Sequence, residues 1–163
     1  MEIIIRKPTV EDTDNIFTIT NKMADRGLML HRSKYKIVSM LNSFLVAEDR
    51  HTGKVVGSGA FSLLWTDLGE INALAIDDEY QRKGIGTRIV RALLDEARRL
   101  KVPEVITLTY KPDFFIRLGF ELSDKNSFPR KLWRECIECP KLEQCDEIVL
   151  HMSMGDKAET AHP

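Results

Sequence analysis

The run Gln81-Arg82-Lys83-Gly84-Ile85-Gly86-Thr87 constrains this chain more than any other segment. It follows an apolar, strand-like stretch, Asn72 to Ile76, and an acidic turn, Asp77-Asp78-Glu79. It opens an amphipathic helix whose apolar positions, Ile85, Ile89, Leu93, Ala97 and Leu100, recur at helical spacing. A helix entered this way leaves its first N–H groups without internal partners, and the helix dipole adds partial positive charge there. Gly84 and Gly86 carry no side chain to keep an anion from the backbone. The arrangement points to a phosphate-bearing cofactor gripped by main chain, and so to an enzyme.

Spacing narrows the choice of cofactor. A P-loop needs four residues between its glycines and then Gly-Lys-Ser/Thr, which is absent. The dinucleotide fingerprint needs a third glycine three residues after the second, and that position is Ile89. What remains, Gln/Arg-x-x-Gly-x-Gly/Ala, resembles the pyrophosphate loop of the GNAT acetyltransferases, which bind acetyl-CoA. On the motif alone, an ordinary glycine-containing strand-to-helix turn stays open as the alternative.

Composition excludes several classes. The 163 residues suit one domain with a single core, and 24 basic residues nearly balance 25 acidic ones. No nucleic-acid partner is expected from that balance, and Arg82-Lys83 and Arg98-Arg99 read as solvated faces. No apolar run is long enough to span a bilayer, so no membrane partner is expected either. The N-terminus shows no secretory pattern, and three cysteines make an odd count, so a reducing cytoplasm is the expected location.

Periodicity and turn signals predict strands at Glu2 to Arg6, Phe44 to Ala47, Val55 to Leu64, Glu70 to Ile76, Val105 to Thr109, after Gly119-Phe120, and from Glu147 to Met152. Thr9 and Asp12 form a capping pair for a first helix with Ile16, Ile19 and Met23 buried, closed by Gly27. Ser33 caps a second helix running to about Leu41, and a short helix spans Pro112 to Arg117. Residues 1–153 are expected to form one domain, with a cysteine-containing element at 130–153 and a mobile tail at 154–163.

This order of elements, an α/β arrangement with a mixed, mostly antiparallel sheet, is similar to the GNAT fold. The resemblance implies helices on both faces of the sheet and a splay between the fourth and fifth strands that admits the pantetheine arm. Four segments also resemble the short, single-domain N-acetylglutamate synthases of arginine biosynthesis. These are Gly27 to Ser33, Val55 to Ala60 with Trp65 to Ile71, the cofactor loop, and Leu108 to Phe115 ending in Gly119-Phe120. The implied activity is acetyl transfer from acetyl-CoA to the α-amine of L-glutamate, directly in a ternary complex. Another amine acceptor, or a catalytically silent module, is the alternative. A homodimer is an expectation of the superfamily.

Acetyl transfer needs a held thioester, a polarised carbonyl and a deprotonated amine. The backbone of Gln81, Arg82, Lys83, Gly84, Ile85, Gly86 and Thr87 is expected to hold the pyrophosphate. Leu74, Ala75 and Ile76 would pair with the pantetheine amides like an added strand. If the fourth strand carries a bulge, as the resemblance implies, the N–H near Leu74 would polarise the acetyl carbonyl. Glu70, on the strand that carries the family's proposed base, is the candidate base; a solvent-exposed strand-edge glutamate is the alternative. Arg32 and Lys111 are the candidates for the acceptor's two carboxylates. Many GNAT enzymes place an acidic tyrosine where this chain has Phe115, and Tyr110 is a weak substitute.

Cys136, Cys139 and Cys145, with His151 further on, have three readings: a structural zinc site, a redox pair with a spare thiol, or free thiols packing a C-terminal subdomain.

Overall fold

The computed structural model describes residues 1–127 and 147–154. Its strands are β1 (Ile3–Arg6), β2 (Phe44–Asp49), β3 (Lys54–Trp65), β4 (Leu68–Ile76), β5 (Glu104–Thr109), β6 (Glu121–Leu122) and β7 (Ile148–Ser153). Its α-helices are α1 (Thr13–Asp25), α2 (Lys34–Ser39), α3 (Ile85–Arg99) and α4 (Pro112–Arg117). The strands form one mixed sheet in the order β1-β2-β3-β4-β5-β7-β6. The β4–β5 pair is parallel and only two residues long, Gly69 opposite Val105 and Glu70 opposite Ile106. The β1–β2, β2–β3, β5–β7 and β6–β7 pairs are antiparallel. The described residues fall into two compact units, Met1–Phe61 with Ile71–Glu96, and Ser62–Glu70 with the described residues from Ala97 on.

In the first unit, Ile16 and Ile19 of α1 and Ile37 of α2 pack with Phe44, Val46, Val55, Ala60, Ala73 and Ala75 of the strands. Met23, Met29, Met40 and Leu41 close the edges of this cluster. Side chains the size of Ile and Phe each contribute about 1.5–3 kcal/mol when fully buried. Two glycines of β3 set the approach of its neighbours. A Cβ on Gly57 would stand 2.8 Å from Ile76 Cδ1, and one on Gly59 would stand 3.0 Å from Ile89 Cγ2 and 3.2 Å from Leu74 Cδ1. Bare backbone at these positions lets β4 and α3 lie close against β3.

The Thr9–Asp12 capping box forms, but it closes a 3-10 turn at Val10–Asp12, and α1 begins at Thr13. Asp12 has a second engagement as well. Arg6 of β1 forks onto it, Nη1 to Oδ2 at 2.8 Å and Nη2 to Oδ1 at 3.0 Å, while Thr9 N donates to Oδ2 at 2.7 Å. The Arg6 guanidinium holds the Asp12 carboxyl below its usual range.

In the second unit, Leu64, Leu68 and Ile106 form a small buried cluster with Leu108 against it. Phe115 meets Phe114 and Phe120 edge to face, with ring centres 5.0 Å and 5.4 Å away. Gly119 turns the chain out of α4 with φ +105°. His151 Nδ1 lies 2.7 Å from Glu104 Oε1. Cys136, Cys139 and Cys145, most of the 130–153 element and residues 155–163 lie outside the described residues. No helix among the described residues is long and apolar enough to cross a membrane.

Candidate active site

The glycine loop is held from three directions within the first unit. Asp77 N donates to Val56 O of β3 at 2.8 Å, and Asp77 Oδ1 caps the following 3-10 turn by accepting from Glu79 N at 3.0 Å. Tyr80 donates its hydroxyl to Asp49 Oδ2 at 2.8 Å. Asp49 is buried and also shapes its own hairpin turn, accepting from His51 N at 3.0 Å through Oδ1 and from Gly53 N at 2.7 Å through its carbonyl. The Tyr80 hydroxyl lowers the Asp49 carboxyl below its ordinary range, and the same hydrogen bond raises the Tyr80 phenol in return. From α1, Lys22 and Arg26 both reach Asp78. Gln81 Nε2 donates to Ile76 O at 3.2 Å and to Asp78 Oδ1 at 3.3 Å.

Beyond this scaffold the loop exposes its main chain. Arg82 and Gly84 adopt left-handed conformations, φ +62° and +79°. Among the described residues, no backbone carbonyl takes the N–H of Arg82, Lys83, Gly84, Ile85, Gly86 or Thr87. Successive unengaged N–H groups at a helix start make an anion cradle that suits a pyrophosphate. Gln81 differs from the expectation for its main chain, because its N–H turns back to Asp78 O at 3.5 Å. Its side chain does the bracing described above. The glycine requirement at Gly84 is conformational, since a Cβ there would meet nothing within 4 Å.

On β4, Ala73 is buried with φ +56°, a left-handed residue in mid-strand. That backbone state accompanies β-bulges and re-aims the groups that follow it, here Leu74, Ala75 and Ile76. The residue itself gives no warning of it, because alanine has no preference for positive φ; only the family resemblance anticipates a bulge here. Asn72, just before it, has its side chain in the first unit's polar network, Oδ1 standing 3.4 Å from an Arg32 Nη2 donor.

Arg32 is half-buried and poorly satisfied. Nε is buried without a hydrogen-bond partner. Nη1 reaches only the Met40 sulfur at 3.6 Å, a weak acceptor, and the Asn72 contact is long for a hydrogen bond. A half-buried guanidinium with a buried, unsatisfied Nε calls for an anionic partner.

In the second unit, Glu70 is 2% exposed. The alternative of a solvated strand-edge carboxylate is therefore removed. Tyr110 is half-buried, and Lys111 is exposed at the head of α4, its N–H bonded to Thr109 Oγ1 at 2.9 Å. Phe115, where many acetyltransferases carry an acid, belongs to an aromatic cluster and offers no proton. No group of metal-ligating side chains occurs among the described residues.

Comparison with known proteins gives a consistent picture. Residues 14–120 match the family model described as the acetyltransferase (GNAT) family. An uncharacterised N-acetyltransferase of Chlorobaculum tepidum is 36% identical over 146 residues, 90% of this chain and 93% of that protein. An amino-acid acetyltransferase of Mycobacterium tuberculosis is 36% identical over 118 residues, 72% of this chain and 67% of that protein. Among solved structures, Rv2747 from Mycobacterium tuberculosis in complex with CoA superposes with a TM-score of 0.81 at 28% identity, covering 93% of this chain and 99% of that one. The N-acetylglutamate synthase of Neisseria gonorrhoeae, complexed with coenzyme A and N-acetyl-glutamate, shares the fold with a TM-score of 0.80 at 22% identity, over 94% of this chain and 35% of that one.

Proposed function

The chain belongs to the GNAT acetyltransferase family, and from that premise we propose that this N-acetyltransferase moves the acetyl group of acetyl-CoA onto the α-amine of L-glutamate, the entry step of arginine biosynthesis. The observation that carries the acceptor class is Arg32, a half-buried cation whose Nε has no partner and whose other nitrogens have only weak ones. A carboxylate of the acceptor satisfies it bidentately. Relatives named amino-acid acetyltransferase, and a fold neighbour that holds N-acetyl-glutamate, support the same class.

The steps follow from the residues. The N–H groups from Arg82 to Thr87 take the pyrophosphate, and the backbone of Leu74, Ala75 and Ile76 pairs with the pantetheine amides. The N–H near Leu74, re-aimed by left-handed Ala73, polarises the acetyl carbonyl. Glu70 removes a proton from the acceptor ammonium, directly or through a water. The freed nitrogen lone pair attacks the thioester carbon, the C–S bond breaks as the nitrogen gives up its remaining extra proton to solvent, and coenzyme A leaves as a thiolate. Thiols ionise near pH 8.5, so the thiolate is a tolerable leaving group without an acid at Phe115. Lys111 is the partner for the second carboxylate.

The test is an acceptor screen with purified protein and acetyl-CoA, following released CoA. L-Glutamate should turn over best, and Arg32→Ala should raise its KM. Turnover of neutral amines or polyamines with none of glutamate would overturn the acceptor assignment while leaving acetyl transfer intact.

A further inference from the structure

The segment carrying Arg32 is tied to α1 by one side chain, Asn21. Its Nδ2 donates to Arg32 O at 2.9 Å, and its Oδ1 accepts from Arg32 N at 2.9 Å. One amide thus closes a two-bond ring with the backbone of a single residue, as a neighbouring β-strand would. The orientation of the amide is settled by this pairing, because Arg32 N only donates and Arg32 O only accepts. Nδ2 also donates to Phe17 O, one turn earlier in α1, at 3.0 Å, which seats the clasp on the helix.

The clasp is the tie on the Arg32 backbone in a segment otherwise held by Met29 against the core and by the His31–Asp25 and Lys34–Asp14 pairs. The segment leaves α1 through left-handed Gly27, φ +74°, and runs without helix or strand until Ser33 caps α2 by accepting from Lys36 N at 3.0 Å. The Arg32 guanidinium contributes no strong bond of its own, so its direction is set by the backbone from which it springs.

We infer that Asn21 is a positioning residue for acceptor recognition. It locks the Arg32 backbone so that the guanidinium keeps its unused donors aimed at an incoming carboxylate. The inference rests on the reading of Arg32 given under the proposed function. Two parallel N–H···O bonds to a carboxylate are directional, and a displacement of about 1 Å at a positioning element costs on the order of a hundredfold in such sites.

The test is a double-mutant cycle of Asn21→Ala and Arg32→Ala, read as KM and kcat for L-glutamate, or for the best acidic acceptor the screen yields, with calorimetric CoA binding alongside. Asn21→Ala should raise the acceptor KM about 10- to 100-fold, keep kcat within about threefold, and leave CoA affinity unchanged. In the Arg32→Ala background it should add less than about twofold, because its effect runs through Arg32. Deuterium exchange over residues 28–33 should quicken in Asn21→Ala whether or not acceptor is present. If Asn21→Ala does not fold, Asn21→Ser removes the same two bonds and carries the same expectations. An unchanged KM, a full multiplicative effect on top of Arg32→Ala, or unchanged exchange would overturn the role of Asn21. An unchanged KM in Arg32→Ala itself would instead overturn the reading of Arg32, and the positioning role with it.

Discussion

Arg26 engages Asp78 with both arms of its guanidinium, Nη1 to Oδ1 at 2.7 Å and Nη2 to Oδ2, so the end of α1 is pinned to the turn that feeds the glycine loop. Lys22 adds a second cation at 3.4 Å, and the Gln81 side chain reaches the same carboxylate from the loop itself. Arg26 holds the Asp78 carboxyl down at about 2, with Lys22 adding to the effect. The carboxylate is therefore ionised near neutral pH.

The first prediction concerns this junction. Asp78→Asn keeps the shape but removes the charge that draws both cations. The pair is partly exposed, so the effect should be modest: CoA affinity falling about two- to fivefold by calorimetry in low salt. Raising the salt should shrink the difference, since exposed ion pairs are screened. Equal affinity of variant and wild type in dilute buffer would show that the junction does not order the loop.

A second prediction follows from Gly84. Alanine there has room, but it must hold φ +79°, which costs an L-residue about 1 kcal/mol or more. Gly84→Ala should weaken CoA binding by roughly five- to tenfold while the thermal midpoint drops only a few degrees. A crystal structure of the variant should show the cradle N–H groups rotated away from one another.

Glu70 separates base catalysis from binding. Glu70→Gln is nearly isosteric, so acetyl-CoA affinity and acceptor KM should change little. kcat should fall by about a hundredfold or more, and the rise of rate with pH that reports the base should flatten. An unaltered pH–rate profile would remove Glu70 from that role.

Stability in acid should depend on Asp12. Its folded pKa lies below the ordinary 3.8, chiefly because of Arg6. The stabilisation is thus fully present above pH 3.8 and is lost as the pH falls through the folded value. Asp12→Asn should cost about 2 kcal/mol near neutral pH and give a shallower loss of stability in acid than wild type, by urea denaturation at stepped pH.

The sequence disclosed most where periodicity and turn chemistry agree. The apolar stripe of α3 is buried from Ile85 to Ala97, and Pro112–Arg117 is helical with proline at its first position. The loop was legible because glycine spacing and helix start coincide. β4 begins at Leu68, two positions before the expected Glu70, with Leu68 packed into a buried cluster. Other features are tertiary and left no local mark. The left-handed state of Ala73 is imposed on a residue that does not ask for it. The pair of hydrogen bonds between Asn21 and Arg32 spans eleven positions, and nothing in a mid-helix asparagine announces such a partner. The burial of Glu70 is likewise invisible locally, because a glutamate at the start of a strand ordinarily faces solvent.

Under the proposed function, peptide N–H groups from Arg82 to Thr87 hold the coenzyme, whereas acceptor choice falls to side chains such as Arg32. The two can therefore be retooled separately. An engineer could rewrite the Arg32 environment to welcome a different amine, and the donor grip would persist, because no side chain of that neighbourhood supplies it.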